Sequence, residues 1–226
     1  MEALKKTTVS GGYGFRNLLF FLLLYIFGSP FLATYPSLAI LVHTSLSVTL
    51  LFSVYAVKKE QNYRTTAMVC LLPVLVLYWL GIYNLIPFSR VFSFALLSIY
   101  FALLIFSFAA QIARDRQVTL NIIYGALCIY LMLGLFWGGL YALLYELDPT
   151  SYAGALLQQE VSSNFHVFIY FSMVTLTTLG YGDITPQTLG ASSLCQMEAI
   201  IGQLFTTVVI AWLVGNYAFT KKISEE

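Results

Sequence analysis

The chain has 226 residues, 59% of them hydrophobic and only 9% charged, with a formal net charge of +1. Soluble globular domains carry roughly 25% charged residues, so an ordinary water-soluble fold is excluded. Uncharged apolar stretches recur along the chain, each about as long as the ~20 residues a helix needs to cross a bilayer core. The expectation is an all-α membrane protein surrounded by lipid, with no nucleic-acid partner. Cys70, Cys128 and Cys195 all lie inside apolar stretches and read as small buried hydrophobes rather than as a disulfide framework or metal ligands.

In chain order, six spanning segments are predicted, over 17–34, 37–57, 65–86, 91–113, 117–145 and 191–220. Tyr35-Pro36-Ser37 separates the first two, and Asn84 to Ser89 with Pro87 separates the third from the fourth. Every basic residue except Arg90 then falls on one side of the membrane, and the positive-inside rule makes that side cytoplasmic, with both termini in it and a plasma-membrane location expected. A first domain of four helices, 1–116, precedes a second, 117–226. The alternative reading of the first segment as a signal peptide fails on its cleavage site, because Phe31 stands two positions before Ala33 where a small residue is wanted.

The stretch from Val161 to Gly182 is also uncharged and long enough to cross. As a seventh crossing it would place Lys221 and Lys222 outside. It ends in Gly-Tyr-Gly-Asp, which suits irregular backbone, and irregular backbone at membrane depth survives only when buried in protein or lining a water-filled cavity. A re-entrant unit is therefore expected, with Ser163 or Asn164 capping a short helix that runs to about Thr177. The negative end of that helix dipole would face the membrane interior, where a desolvated cation needs it. Thr178, Leu179, Gly180 and Tyr181 would turn successive backbone carbonyls toward the ion, and Gly180 and Gly182 permit the backbone this requires.

The run Tyr170-Phe171-Ser172-Met173-Val174-Thr175-Leu176-Thr177-Thr178-Leu179-Gly180-Tyr181-Gly182-Asp183-Ile184-Thr185-Pro186 resembles the pore loop of potassium channels, a loop that serves as the standard illustration of carbonyl-based ion selectivity. The resemblance covers about residues 119–219. It implies K+ bound at Thr178, Leu179, Gly180 and Tyr181. It also implies filter support from Tyr170, Thr177, Gly182, Asp183 and Glu198, with Gly202 as a gating hinge on the inner helix. Gln203, Thr206 and Ile210, at i, i+3 and i+7, fall on one face suited to lining a cavity. Three departures from the family pattern stand out: Leu179 replaces valine, Val174 stands where some bacterial relatives carry a glutamate, and Tyr170-Phe171 replaces a tryptophan pair. The Tyr170 hydroxyl is thereby the candidate partner of Asp183. One loop supplies one quarter of a ring, so a homotetramer with cyclic symmetry is expected.

The fourth segment runs from Val91 to Ala113 without Arg or Lys, so the first four helices lack the repeated charges of a voltage sensor and read as a scaffold. His43 reads as a neutral histidine bonded to Ser or Thr, His166 as a solvated loop residue, and Tyr35, Tyr63, Tyr141, Tyr145 and Tyr217 as interfacial anchors. Glu198, an acid inside the sixth segment, reads as a brace behind the filter. About six residues follow that segment, too few for a regulatory domain. The leading expectation is passive, potassium-selective conduction with little voltage dependence and no cofactor beyond the permeant ion. The alternatives are a weakly selective cation channel and a non-conducting receptor or assembly protein with a vestigial pore. No nucleophile–base or metal-ligand cluster points to an enzyme.

Overall fold

A computed structural model describes residues 14–33, 35–57, 62–83, 88–114, 119–158 and 165–224. Helix α1 (Gly14–Leu23) widens into a π-helical turn (Leu24–Gly28) and continues as α2 (Ser29–Ala33). The cause of the widening is local: Pro30 has no N–H to donate to the carbonyl four residues back, and a π turn at that point accommodates the missing bond. A short 3-10 turn (Pro36–Leu38) leads into α3 (Ala39–Ala56), followed by α4 (Asn62–Ile82), α5 (Ser89–Arg114) and α6 (Leu120–Leu147). Pro73 lies inside α4 without ending it.

Among the described residues, five helical stretches are long and apolar enough to cross a membrane: Gly14–Leu32, Ala39–Ala56, Thr65–Ile82, Ser89–Arg114 and Leu120–Leu147. They match the first five predicted segments, with shifted ends. The third stops at Ile82 rather than near residue 86, and the fifth starts at Leu120 and reaches Leu147. The proposed caps Ser163 and Asn164 lie outside the described residues.

The packing follows from which face of each helix is small or apolar. On α5 the buried positions Ser89, Ser93, Leu97, Phe101, Leu104 and Phe108 recur every three or four residues, a stripe along one side. The stripe begins against α4, where Ser89 and Ser93 lie at Gly81, while Ser98 on the neighbouring face meets Gly139 of α6; α5 thus packs on both α4 and α6, and α1 bridges α3 and α6. Phe15 meets Phe108 edge-on with ring centroids 5.0 Å apart. Within lipid such contacts, not water exclusion, hold helices together. Two of the buried serines are satisfied within their own helices: Ser53 Oγ donates to the Leu50 carbonyl (2.6 Å) and Ser107 Oγ to that of Leu103 (2.7 Å), whereas the hydroxyls of Ser89 and Ser98 have no partner among the described residues.

After α6 the chain forms β1 (Tyr152–Gly154), a 3-10 turn (Ala155–Gln158), α7 (Phe165–Leu176), β2 (Ile184–Pro186) and α8 (Leu189–Ser224). The two strands pair antiparallel, with Tyr152 opposite Pro186 and Gly154 opposite Ile184. This small ribbon was not expected in an all-α chain. Asp148 sets it up by accepting bonds from the Thr150 hydroxyl (2.6 Å) and backbone N–H (3.0 Å), which hold its carboxyl below the usual range. Gln187 N–H then donates to the Ser151 carbonyl at 2.8 Å.

Three side-chain expectations change. His43 shares a 2.8 Å hydrogen bond with the Tyr78 hydroxyl, not with Ser or Thr. His166 is not a solvated loop residue: it sits in the first turn of α7, its Nδ1 lies 3.3 Å from Ser29 Oγ, and its ring packs near Tyr25. Tyr141 is no interfacial anchor either, since it is fully buried.

Candidate re-entrant pore site

The short helix α7 is flanked by α6 and α8 and carries the loop Thr177–Asp183 at its C-terminal end. It ends at Leu176, one residue before the expected Thr177. The termination has a definite geometry: Leu179 N–H bonds to the Val174 carbonyl (3.0 Å) and Thr178 N–H to that of Thr175 (2.9 Å). These are the paired bonds of a Schellman motif, in which the residue at the position of Thr178 adopts a left-handed conformation. Thr178 has φ +61°. That place is normally taken by glycine, and a β-branched residue there is strained.

The left-handed conformation recurs at Gly180 (φ +56°) and Gly182 (φ +76°), with no positive φ at the residues between. Gly180 N–H also turns back to the Val174 carbonyl, at 3.3 Å. Three successive N–H groups, of Thr178, Leu179 and Gly180, thus point into α7. In a trans peptide the carbonyl on the same unit points the opposite way, and no peptide here is cis. The carbonyls of Thr177, Thr178 and Leu179 therefore face away from α7. On that side every residue from Thr177 to Asp183 is exposed in the single chain.

Beyond the loop, Asp183 Oδ2 accepts the Tyr170 hydroxyl at 2.6 Å and its Oδ1 accepts Ile184 N–H at 3.1 Å, so the partner expected for Asp183 is in place. A charged acceptor makes such a bond about 1.5–3 kcal/mol in a buried setting. Here partial exposure reduces it to about 1 kcal/mol, or roughly fivefold in an equilibrium. Tyr170→Phe is expected to destabilise the loop by that amount, read as about fivefold faster hydrogen exchange of the Ile184 N–H. Unchanged exchange would show that the bond does not hold the loop. Val174 leaves space behind the loop, a cleft of about 210 Å³ lined by Phe171, Val174, Thr175, Gly180, Asp183 and Cys195 among others.

Glu198, on α8, does not reach the loop. Its side chain is fully buried, with Oε1 accepting the Ser172 hydroxyl of α7 and Oε2 the Tyr141 hydroxyl of α6. Sequence reasoning found the carboxylate but neither partner. Helix α6 carries Tyr124, Tyr130, Tyr141 and Tyr145, so nothing in the sequence singled out Tyr141 among them. One turn below, Gly202 is buried against the end of α7, and a Cβ built on it would lie 2.7 Å from the Leu176 carbonyl oxygen. Helix α8 runs unbroken through Gly202. Gln203 and Thr206 are exposed in the single chain, with the Thr206 hydroxyl donating to the Gly202 carbonyl at 3.0 Å. The Ile210 side chain lies outside the described residues. No group of three or more metal-ligating side chains occurs among the described residues.

Residues 118–217 match a family model described as an ion channel. That segment starts just before α6 and takes in α7, the loop and most of α8. No solved structure matches the chain. A multi-pass membrane protein carrying an ion-channel domain is thus the common ground of helices and sequence match.

Proposed function

We propose that the chain is one subunit of a homotetrameric, potassium-selective channel of the cell membrane, with both termini cytoplasmic and α8 as a sixth crossing. The observation that carries this reading is the sign alternation of φ at Thr178, Gly180 and Gly182 together with the N–H groups tied back to α7. A strip of carbonyls with no partner among the described residues is what a dehydrated cation requires, and four strips around an axis make successive oxygen rings. The exposed apolar residues Met197, Ile200, Leu204 and Val208 of α8 form a stripe that no described residue covers, and neighbouring subunits would cover it. In this reading Thr178, Leu179, Gly180 and Tyr181 bind K+, and Gln203, Thr206 and Ile210 line the inner cavity. The first four helices form a scaffold. The intact Gly-Tyr-Gly favours selectivity over a general cation pore or a vestigial, non-conducting one. Flux and reversal potentials of purified protein in liposomes under potassium and sodium gradients test it. Strong potassium preference is expected, and equal permeability to the two ions or a functional monomer would refute it.

Opening is expected to depend little on voltage. Moving one charge through the field is worth about 2.3 kcal/mol per 100 mV, and steep gating takes roughly three to four charges per subunit. In α5 the interior carries none, Arg90 and Arg114 stand at its two ends, and Arg90 Nη1 lies 3.7 Å from Glu146 Oε1 of α6. Open probability against voltage in symmetrical potassium should be shallow. A steep curve with gating currents that persist without permeant ions would mean that α1–α5 move charge after all.

A further inference from the structure

We propose that Glu198 is a positioning residue for the filter, acting through the pore helix α7 and not on the ion path itself. The proposal rests on the potassium-channel reading and adds how its filter is held. A carboxyl inside a membrane bundle is costly unless its partners are built in, and such a residue marks function by default. Here three helices converge on one group: α8 supplies the carboxyl, α7 the Ser172 hydroxyl and α6 the Tyr141 hydroxyl, and all three residues are 0% exposed. Each carboxyl oxygen takes one O–H donor, so neither partner can turn away without leaving a polar atom unpaired in an apolar interior.

Tyr141 itself cannot swing aside. Its ring is held among Trp137, Tyr152 and Phe171, with centroids 6.4, 5.5 and 5.1 Å away. Those contacts reach both ends of the loop. Ser172 lies two residues before Val174, whose carbonyl receives the N–H groups of Leu179 and Gly180. Tyr152 lies on β1, which pairs with β2 immediately after Asp183. A shift of α7 at Ser172 moves the Val174 carbonyl and with it the peptide units that aim the Thr178 and Leu179 carbonyls. The close seat of Gly202 against Leu176, four residues along α8 from Glu198, gives the same face of α8 a second hold on α7.

The test compares Glu198→Ala, Glu198→Gln, Ser172→Ala and the double variant Ser172→Ala/Glu198→Ala in purified channels. It reads tetramer yield, the potassium-to-sodium permeability ratio and the time course of current. Glu198→Ala is expected to lower the permeability ratio of assembled channels by about tenfold, the scale of leaving one buried hydroxyl without its partner. Glu198→Gln, which can still accept one O–H and donate to the other oxygen, should restore most of it. Ser172→Ala should lower the ratio in the same direction, and adding it to Glu198→Ala should change little, because both remove the same contact. A purely structural role would reduce tetramer yield and leave the ratio of the surviving channels unchanged. If Glu198→Ala does not assemble, Ser172→Ala, which deletes a single oxygen, decides alone. Assembled variants matching the unmodified protein in ratio and time course overturn the proposal, whatever that ratio is. Equal potassium and sodium permeability in the unmodified protein refutes instead the potassium-selective reading.

Discussion

In the potassium-selective homotetramer proposed above, Gly202→Ala is expected to eliminate potassium flux by preventing a stable tetramer, not by holding a formed channel shut. The added methyl would lie 2.7 Å from the carbonyl oxygen of Leu176 and 3.3 Å from its Cα. Both are backbone atoms at the last residue of α7, so no flexible side chain can give way. Overpacking of this kind costs about 1–3 kcal/mol at one site. Four copies make that roughly 4–12 kcal/mol per tetramer, comparable with the whole stability of a typical domain. The resemblance to potassium channels assigned Gly202 a hinge, and the two roles predict different outcomes. A hinge replaced by alanine leaves a straight helix, an assembled tetramer and an unchanged melting temperature, with low open probability. A packing glycine replaced by alanine loses tetramer and melting temperature together. Size-exclusion yield and thermal unfolding in detergent separate them, and a fully assembled, thermally unchanged but closed Gly202→Ala channel would return Gly202 to the hinge.

What the sequence made legible was whatever is written locally. The apolar stretches set the spans because their length is fixed by the bilayer, and the glycines of Gly180-Tyr181-Gly182 announced a special backbone because few other residues tolerate it. The bond between Tyr170 and Asp183 was within reach because the two are thirteen positions apart in a single re-entrant unit. Partners across helices were not. Nothing near Glu198 names Tyr141, 57 residues earlier, and nothing near His43 names Tyr78 over other phenols and hydroxyls. Such pairs are chosen by how helices are rotated against one another, which depends on small-residue seams such as Gly202 on Leu176. The β1–β2 ribbon escaped for another reason: Tyr152–Gly154 and Ile184–Pro186 are three-residue strands, too short to show an alternating pattern. Thr178 is the sharpest case. Its carbonyl was anticipated among those turned toward the ion, whereas its left-handed backbone was not, because a threonine is a poor candidate for that conformation.

Thr178 therefore separates two properties that usually move together. Thr178→Gly should stabilise the backbone and impair conduction. Threonine at φ +61° costs about 1–2 kcal/mol that glycine does not incur, and glycine is the residue a Schellman terminus prefers. Glycine's larger loss of freedom on folding returns part of this, roughly 0.5–1 kcal/mol. The tetramer should be as stable as the unmodified protein or slightly more so. Potassium flux should nonetheless fall by about tenfold or more, since the substitution removes an oxygen-bearing group from every strip at the point where the ion enters. Thr178→Ser supplies the control: it keeps the hydroxyl, drops the branched methyl and should conduct within a few-fold of the unmodified protein, a span of about 1 kcal/mol. Reconstituted flux and thermal unfolding of both variants give the answer. If Thr178→Gly conducts normally, the hydroxyl and the strained backbone are not part of the ion path. If Thr178→Ser fails as badly as glycine, the branched methyl, and not the oxygen, is what the loop requires.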